Sequence, residues 1–480
     1  MKRIAPLSLV LLALAACSDN SSTAPNTEAA DLNDLAATRQ NGFVNVTNDA
    51  DDGKGSFRWA IGEANANPGI EAIRFRGRTG TIHLSSPVTY TGAQDLSLEG
   101  NDAIIDGANA GGPSFIANGG GDLKVSELTF SNSPAEGIDV EVPAAATGTL
   151  KVTLYKVTIK DNKGHGLLVN DQVDPSTTDD VQPDDRGSAA SLEVAVFLSR
   201  FSGNGYSVSD RDGIRVNEGG EGSLTFTSRL SKSEDNAADG IELDERGAGD
   251  VIIDVSDTYI LRNGKLDPAD LDDGFDIDEA NDGSIIGKMV RSAAIDNFEE
   301  GLDFNENNAG DLRVDLTLVV ATGNGEEGID YEEDDDFAGG GDLVTTMLGV
   351  VANENGGDGG LKIREKGVGS LTANVTGVEA SRNLVSGIAV REDADGSLTA
   401  NIVRAKTLGN AAHGIDFDEN STGDLAATVS KSVSSGNTLY GIRADQQLPG
   451  TGTLLLTEVD LAGNVAGTTT GGNVTITVTP

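Results

Sequence analysis

One spacing recurs along this chain and limits its folds more than any other feature. An Asn closes each unit, at Asn132, Asn162, Asn204, Asn236, Asn263, Asn297, Asn324, Asn355, Asn383, Asn410, Asn437 and Asn464, and the last four stand about 27 residues apart. Gly and an apolar residue follow, as in Gly240-Ile241, Gly274-Phe275, Gly301-Leu302, Gly387-Ile388 and Gly414-Ile415. A second apolar residue comes two positions later: Leu243, Ile277, Phe304, Val390 and Phe417. That alternation is a short strand with one buried face. Further alternating runs follow, such as Leu398, Ala400, Ile402 and Leu425, Ala427, Val429. A propeller blade needs about 40 residues in four antiparallel strands. About 27 residues suit one three-stranded coil of a solenoid, pairing in parallel with the next coil about 4.8 Å away. The expectation is an all-β parallel β-helix of about 13 coils. The Asn column suits tight corners, because Asn tolerates a left-handed backbone and its amide both donates and accepts along a stack.

Composition agrees. Aromatic residues are only 4% and glycines number 62, which fits a narrow core of stacked aliphatic side chains. The formal net charge of −43 argues against binding DNA or RNA by counterion release and favours divalent cations or basic partners.

The ends carry their own signals. Lys2 and Arg3 precede an apolar run over 7–16, too short to span a bilayer. Leu14-Ala15-Ala16-Cys17 resembles the bacterial lipoprotein signal, which implies cleavage before Cys17, lipidation of that Cys and membrane attachment by the lipid anchor alone. Ser18, rather than Asp, then implies sorting to the outer membrane or cell surface. Cys17 is the one Cys of the chain, so no intramolecular disulfide is available. The expected organisation is a signal peptide over 1–16, a polar flexible tether over 17–40, an N-terminal cap with first coils over 41–107, and repeats over 108–480. Ser56 is placed to cap a helix with Phe57, Ala60, Ile61 and Ala64 on one face, stopped by Pro68-Gly69. Such a helix would plug the open end of the solenoid, with Trp59 as part of the plug.

Over about 43–480 the repeat and its entry segment, with Gly55-Ser56-Phe57-Arg58-Trp59-Ala60-Ile61, Ile73-Arg74-Phe75, Thr81-Ile82-His83-Leu84 and Ile104-Ile105-Asp106-Gly107, resemble the pectin-lyase-like parallel β-helix superfamily. The resemblance implies a right-handed coil and a polysaccharide as partner.

Four constellations bear on chemistry: the acidic rows, a basic interruption, a Gly-His-Gly step and two insertions. Glu218, Glu245, Glu279, Glu306, Glu333, Glu365, Glu392 and Glu419 hold one register in successive coils, and Gln446 takes it next. Either this column accepts backbone N–H bonds at a corner, or calcium sits between coils, with Glu245, Glu279, Glu306 and Glu333 as the metal candidates. Two outward rows, Glu242, Asp276, Asp303, Asp330 and Asp244, Asp278, Glu332, are the candidate ligand-binding residues. Lys362, Arg364, Lys366 and Arg391 interrupt the acids. In pectate lyases of the resembled superfamily, Ca²⁺-binding Asp residues work beside a basic catalytic residue, which implies Arg364, Arg391, Asp276 and Asp303 as catalytic candidates. The alternative is an inter-coil salt-bridge ladder. Gly164-His165-Gly166 shares its register with Asp212, Asp239, Asp273 and His413, so it reads as a product of the repeat. The insertions over 171–186 and 265–273 leave the coil beside the acidic rows. Together these point to a surface scaffold that binds polysaccharide or another surface partner with calcium assistance; the rival is a polysaccharide lyase or glycoside hydrolase acting on acidic polysaccharide.

Overall fold

A computed structural model describes residues 42–77, 80–171, 187–206, 210–264, 272–334 and 340–480. The signal peptide, Cys17, the tether and most of both insertions lie outside the described residues. Gly42–Pro480 forms one folded unit, and no helix among the described residues is long and apolar enough to cross a membrane.

Each coil contributes up to three strands. One coil runs through Phe275–Asn281, Ile285–Val290 and Ala293–Ile295, and the next through Leu302–Asn308, Leu312–Thr317 and Val320–Thr322. Equivalent strands pair in parallel, with Phe275 on Leu302, Ile285 on Leu312 and Ala293 on Val320. The first strands of successive coils form a 14-stranded sheet. That exceeds the expected count of about 13 coils because the strands Val88–Tyr90 and Phe115–Ala117 precede the first repeat Asn. Apart from Lys406–Leu408 and Val433–Ser435, which pair with each other as a two-stranded sheet, the remaining strands merge into a 24-stranded sheet, since long early strands such as Leu96–Asp106 continue around a corner. The core is a stack of buried Ile, Leu, Val and Phe, including Phe275, Phe304 and Tyr331.

The helix Phe57–Ala66 forms as its sequence dictates. Ser56 Oγ accepts from the Trp59 N–H at 3.1 Å, and Phe57, Ala60, Ile61 and Ala64 are its buried face. Trp59 packs partly buried against the core at this end.

The Asn column forms a continuous ladder. Asn297 Nδ2 donates to Asn324 Oδ1 at 3.1 Å, and Asn324 Nδ2 donates to Asn355 Oδ1 at 3.2 Å. Each Asn oxygen also accepts the backbone N–H of the Asn below it, as Asn324 Oδ1 does from Asn297 N at 3.0 Å. The expected left-handed conformation falls one residue earlier, on Asp235, Arg262, Asp296, Glu354 and Arg382, with φ of 55°, 59°, 57°, 62° and 60°. The chain turns first, and the Asn after the turn is aimed inward at its stacked neighbours. Asn132 is the exception: it takes the left-handed position itself, at φ 60°, and Ser133 meets the ladder by donating its N–H to Asn162 Oδ1.

Candidate functional site

The strand after each repeat Gly carries both acidic systems, on opposite faces. In Ile241–Glu245, Ile241 and Leu243 point into the core, and Glu245 follows them by the two-residue period to end at the interior corner. Glu242 and Asp244 face outward. The same division repeats through Phe275–Asn281, Leu302–Asn308 and Ile329–Asp334.

The interior column is fully enclosed: Glu218, Glu245, Glu279, Glu306, Glu333, Glu365, Glu392 and Glu419 are each 0% exposed. Turn amides hold Glu218, Glu245, Glu333, Glu392 and Glu419, whereas both oxygens of Glu279, Glu306 and Glu365 are buried without a donor among the described residues. Glu245 Oε1 accepts from Gly247 N at 3.1 Å and from Gly249 N at 3.3 Å. Glu333 Oε1 accepts from Gly341 N at 2.6 Å and Glu419 Oε1 from Ser421 N at 2.9 Å. Successive carboxyls also lie within hydrogen-bonding reach of one another, Glu218 with Glu245, Glu245 with Glu279, and Glu279 with Glu306. Burial pushes the carboxyls up, against the lowering effect of turn amides and of some neighbouring carboxyls: Glu245 and Glu392 to about 7, Glu306 to about 8, Glu333 and Glu365 to about 9, and Glu218 to about 10. Two anionic carboxylates cannot hydrogen-bond each other, so a hydrogen bond between members of the stack needs a shared proton. Gln446, the next residue of the register, shows the neutral solution directly. Its Oε1 accepts from Leu425 N at 2.8 Å while its Nε2 donates to Gly423 O at 2.9 Å. Asp171 begins the column as the register partner of Glu218, accepting from Ser188 N at 2.9 Å and Ser188 Oγ at 2.7 Å.

The outward rows are different. Glu242, Asp276 and Asp303 are consecutive register partners, as are Asp244 and Asp278. Basic side chains bound the acids at both ends. Arg215 reaches Asp210 at 2.7 Å, Glu242 at 2.7 Å and Asp244 at 2.9 Å. Lys362 reaches Asp330 at 2.6 Å and Glu332 at 3.2 Å. Between them, Asp276 Oδ1 and Asp303 Oδ1 are shielded from solvent and have no hydrogen-bond partner among the described residues. Asp303 Oδ2 accepts from Asn305 Nδ2 at 2.8 Å.

A third row joins them: the residues immediately before the repeat Gly. Asp212 Oδ1 accepts from Asp239 N at 3.0 Å, Asp239 Oδ1 from Asp273 N, and Asp273 Oδ1 from Glu300 N at 2.8 Å. Asp239, Glu242 and Asp276 bring carboxylate oxygens within 4.8 Å of one another, and so do Asp273, Asp276 and Asp303. Desolvation by burial, then the neighbouring acids, holds Asp273, Asp276 and Asp303 well above the ordinary carboxylate range. Asp278 rises to about 7 and Asp330 to about 6, the latter restrained by Lys362. The repeat register put Asp239 and Asp273 in view in the sequence; their approach to the outward row is a product of the turn.

Arg364 and Arg391 are register partners in adjacent coils. Arg364 Nε lies 2.6 Å from Asp393 and Arg391 Nη1 3.3 Å from Asp358, so both are held in inter-coil ion pairs. They are not joined to the Asp276 and Asp303 cluster by any ion pair among the described residues. His165 is buried, with Nδ1 accepting from Asp212 N at 3.0 Å.

No family profile and no curated protein matches this chain. Among solved structures it is similar to the periplasmic alginate epimerase AlgG, with 11% identity, coverage of 82% of this chain and 79% of that one, and a TM-score of 0.32. It is also similar to the catalytic domain of a GH87 α-1,3-glucanase in complex with tetrasaccharides, with 13% identity, coverage of 90% and 68%, and a TM-score of 0.34.

Proposed function

We propose that this protein is an exported surface lipoprotein, anchored through Cys17, whose solenoid binds acidic polysaccharide through divalent cations, of which calcium is the best fit, held on the outward acidic rows. One observation carries the reading: the enclosed, unpartnered Oδ1 atoms of Asp276 and Asp303 within carboxylate groups that converge to 4.8 Å. Calcium–oxygen bonds of about 2.3–2.6 Å put two ligands of one ion no more than about 5 Å apart. A cation there offsets the mutual repulsion of a carboxylate row and leaves coordination positions for carboxylates of the polymer. Asp278 continues the row beside Asp276 and Asp303, whereas Glu242, Asp244 and Asp330 are 4%, 0% and 4% exposed and, with Glu332, are already paired to Arg215 or Lys362. In the corner column, turn amides meet one oxygen each of Glu245 and Glu333, while both oxygens of Glu279 and Glu306 are buried without a donor among the described residues; the cation proposal is placed on the outward rows because carboxylates of three strands and a turn converge there.

The test is retention of the protein on immobilised acidic polysaccharide with calcium and with chelator. Calcium-dependent retention, lost in Asp276→Asn with Asp303→Asn, supports the reading; equal retention in chelator overturns it. The lyase reading has its own measurement. Arg364 and Arg391 are committed to Asp393 and Asp358, which favours binding without cleavage, and new unsaturated products absorbing in the near ultraviolet would reverse that choice.

A further inference from the structure

Charge stops abruptly on the outer face of the 24-stranded sheet. The strands Val251–Ser256, Ile285–Val290 and Leu312–Thr317 point Asp254, Lys288, Arg313 and Asp315 outward. The next six strands of that face are Leu343–Leu348, Leu371–Thr376, Leu398–Val403, Leu425–Ser430, Gly452–Thr457 and Val474–Thr479. Their outward positions carry no Asp, Glu, Lys or Arg at all, in a chain that is 23% charged. Thr, Asn, Ser and a few aliphatic residues stand there instead, none of them buried.

The face is ordered as a grid. Thr372 pairs with Thr399, Thr399 with Ala426, and Ala426 with Thr453. Asn374 pairs with Asn401, and Asn401 with Thr428. Thr428 Oγ1 donates to Asn401 Oδ1 at 2.9 Å, linking neighbouring strands along this row. Leu348 and Leu455 are 47% and 39% exposed within it.

We propose that this uncharged face is where two copies of the chain meet, sheet against sheet. Electrostatics selects the occupant. Two molecules of net charge −43 repel across any acidic surface, and this face lets them approach without opposing like charges. It is also self-complementary. Hydroxyl and amide groups that both donate and accept repeat at each strand spacing of about 4.8 Å, so a two-fold-related copy presents the same grid to it. Six strands of six residues cover about 24 Å by about 17 Å. Two such faces bury about 800 Å² in total, below the range of stable complexes and in keeping with a weak, transient contact. The dimer is therefore weak and reversible. Salt strengthens it, because screening weakens repulsion between the acidic remainders.

Sedimentation velocity of the intact chain from about 5 to 200 μM, at low and at about 0.5 M salt, tests this. The expected result is a monomer–dimer equilibrium shifted toward dimer by salt and lost in Asn401→Glu with Thr428→Glu. Both positions are solvent-facing, and an unchanged circular dichroism spectrum and melting temperature show that the double variant folds. A monomer at every concentration overturns the proposal. So does dimerisation that is undiminished in the double variant, which would put the contact elsewhere. A monomer retained on a neutral polysaccharide resin, with retention lost in the same variant, would assign the face to a glycan and equally overturn it.

Discussion

Glu245 and Glu279 sit one above the other at the interior corner of adjacent coils, carboxyl to carboxyl, 0% exposed and within hydrogen-bonding reach. Six further Glu residues continue this arrangement without a basic side chain among them. Protons shared along such a column offset the mutual repulsion of its carboxyls.

Stability should therefore fall with rising pH. Each column carboxyl is raised above its unfolded value near 4.5, so its contribution is fully present below that pH and is lost as pH rises through the folded values. Those begin at about 7 for Glu245 and Glu392, stand at about 9 for Glu333 and Glu365 and reach about 10 for Glu218. Melting followed by circular dichroism should show a drop of more than about 5 °C between pH 5 and pH 9. A transition temperature constant across that range would contradict shared protons.

Glu279→Gln should flatten this dependence. The amide carries its own hydrogens and needs no proton from solvent, as Gln446 does in the same register. At pH 5 the variant should lie within about 1 kcal/mol of the parent, and at pH 9 it should be the more stable of the two. Urea titrations at both pH values measure the difference. A parallel loss at both would mean that the position demands carboxylate geometry rather than neutrality.

Asn324→Ala interrupts the Asn ladder in mid-stack. It removes the acceptor of Asn297 N and Asn297 Nδ2 and the donor to Asn355 Oδ1. Buried donors left without partners cost about 1–3 kcal/mol each, so a loss of about 3 kcal/mol or more is expected from denaturant unfolding.

Calcium should raise the melting temperature by binding the folded rows preferentially, with about 2.7 kcal/mol of stabilisation at a hundredfold excess over Kd. Asp276→Asn with Asp303→Asn should abolish the increment while relieving repulsion in the metal-free protein. Isothermal titration calorimetry gives the same comparison directly, and equal calcium heats in parent and variant would remove these two residues from the proposal.

Much of this was legible without a structure. The Asn spacing and the two-residue alternation reported a parallel solenoid, because one coil is one repeat and stacking forces equivalent residues into register. The capping helix was readable from Ser56 and the apolar face of Phe57, Ala60, Ile61 and Ala64, since caps and faces are local. The same alternation assigned Glu242 and Asp276 outward.

The sequence by itself thus determined the repeat, the strand faces and the identity of the stacked rows. Only the tertiary structure decided what those rows meet. It turned Glu245 and its equivalents into an enclosed corner stack, moved the left-handed residue to the position before each Asn, and brought Asp239 and Asp273 against Asp276 and Asp303. It also committed Arg364 and Arg391 to Asp393 and Asp358. The reason is that burial and proton sharing are properties of several coils at once, set by how each turn bends, whereas spacing along one chain records only which residues are equivalent.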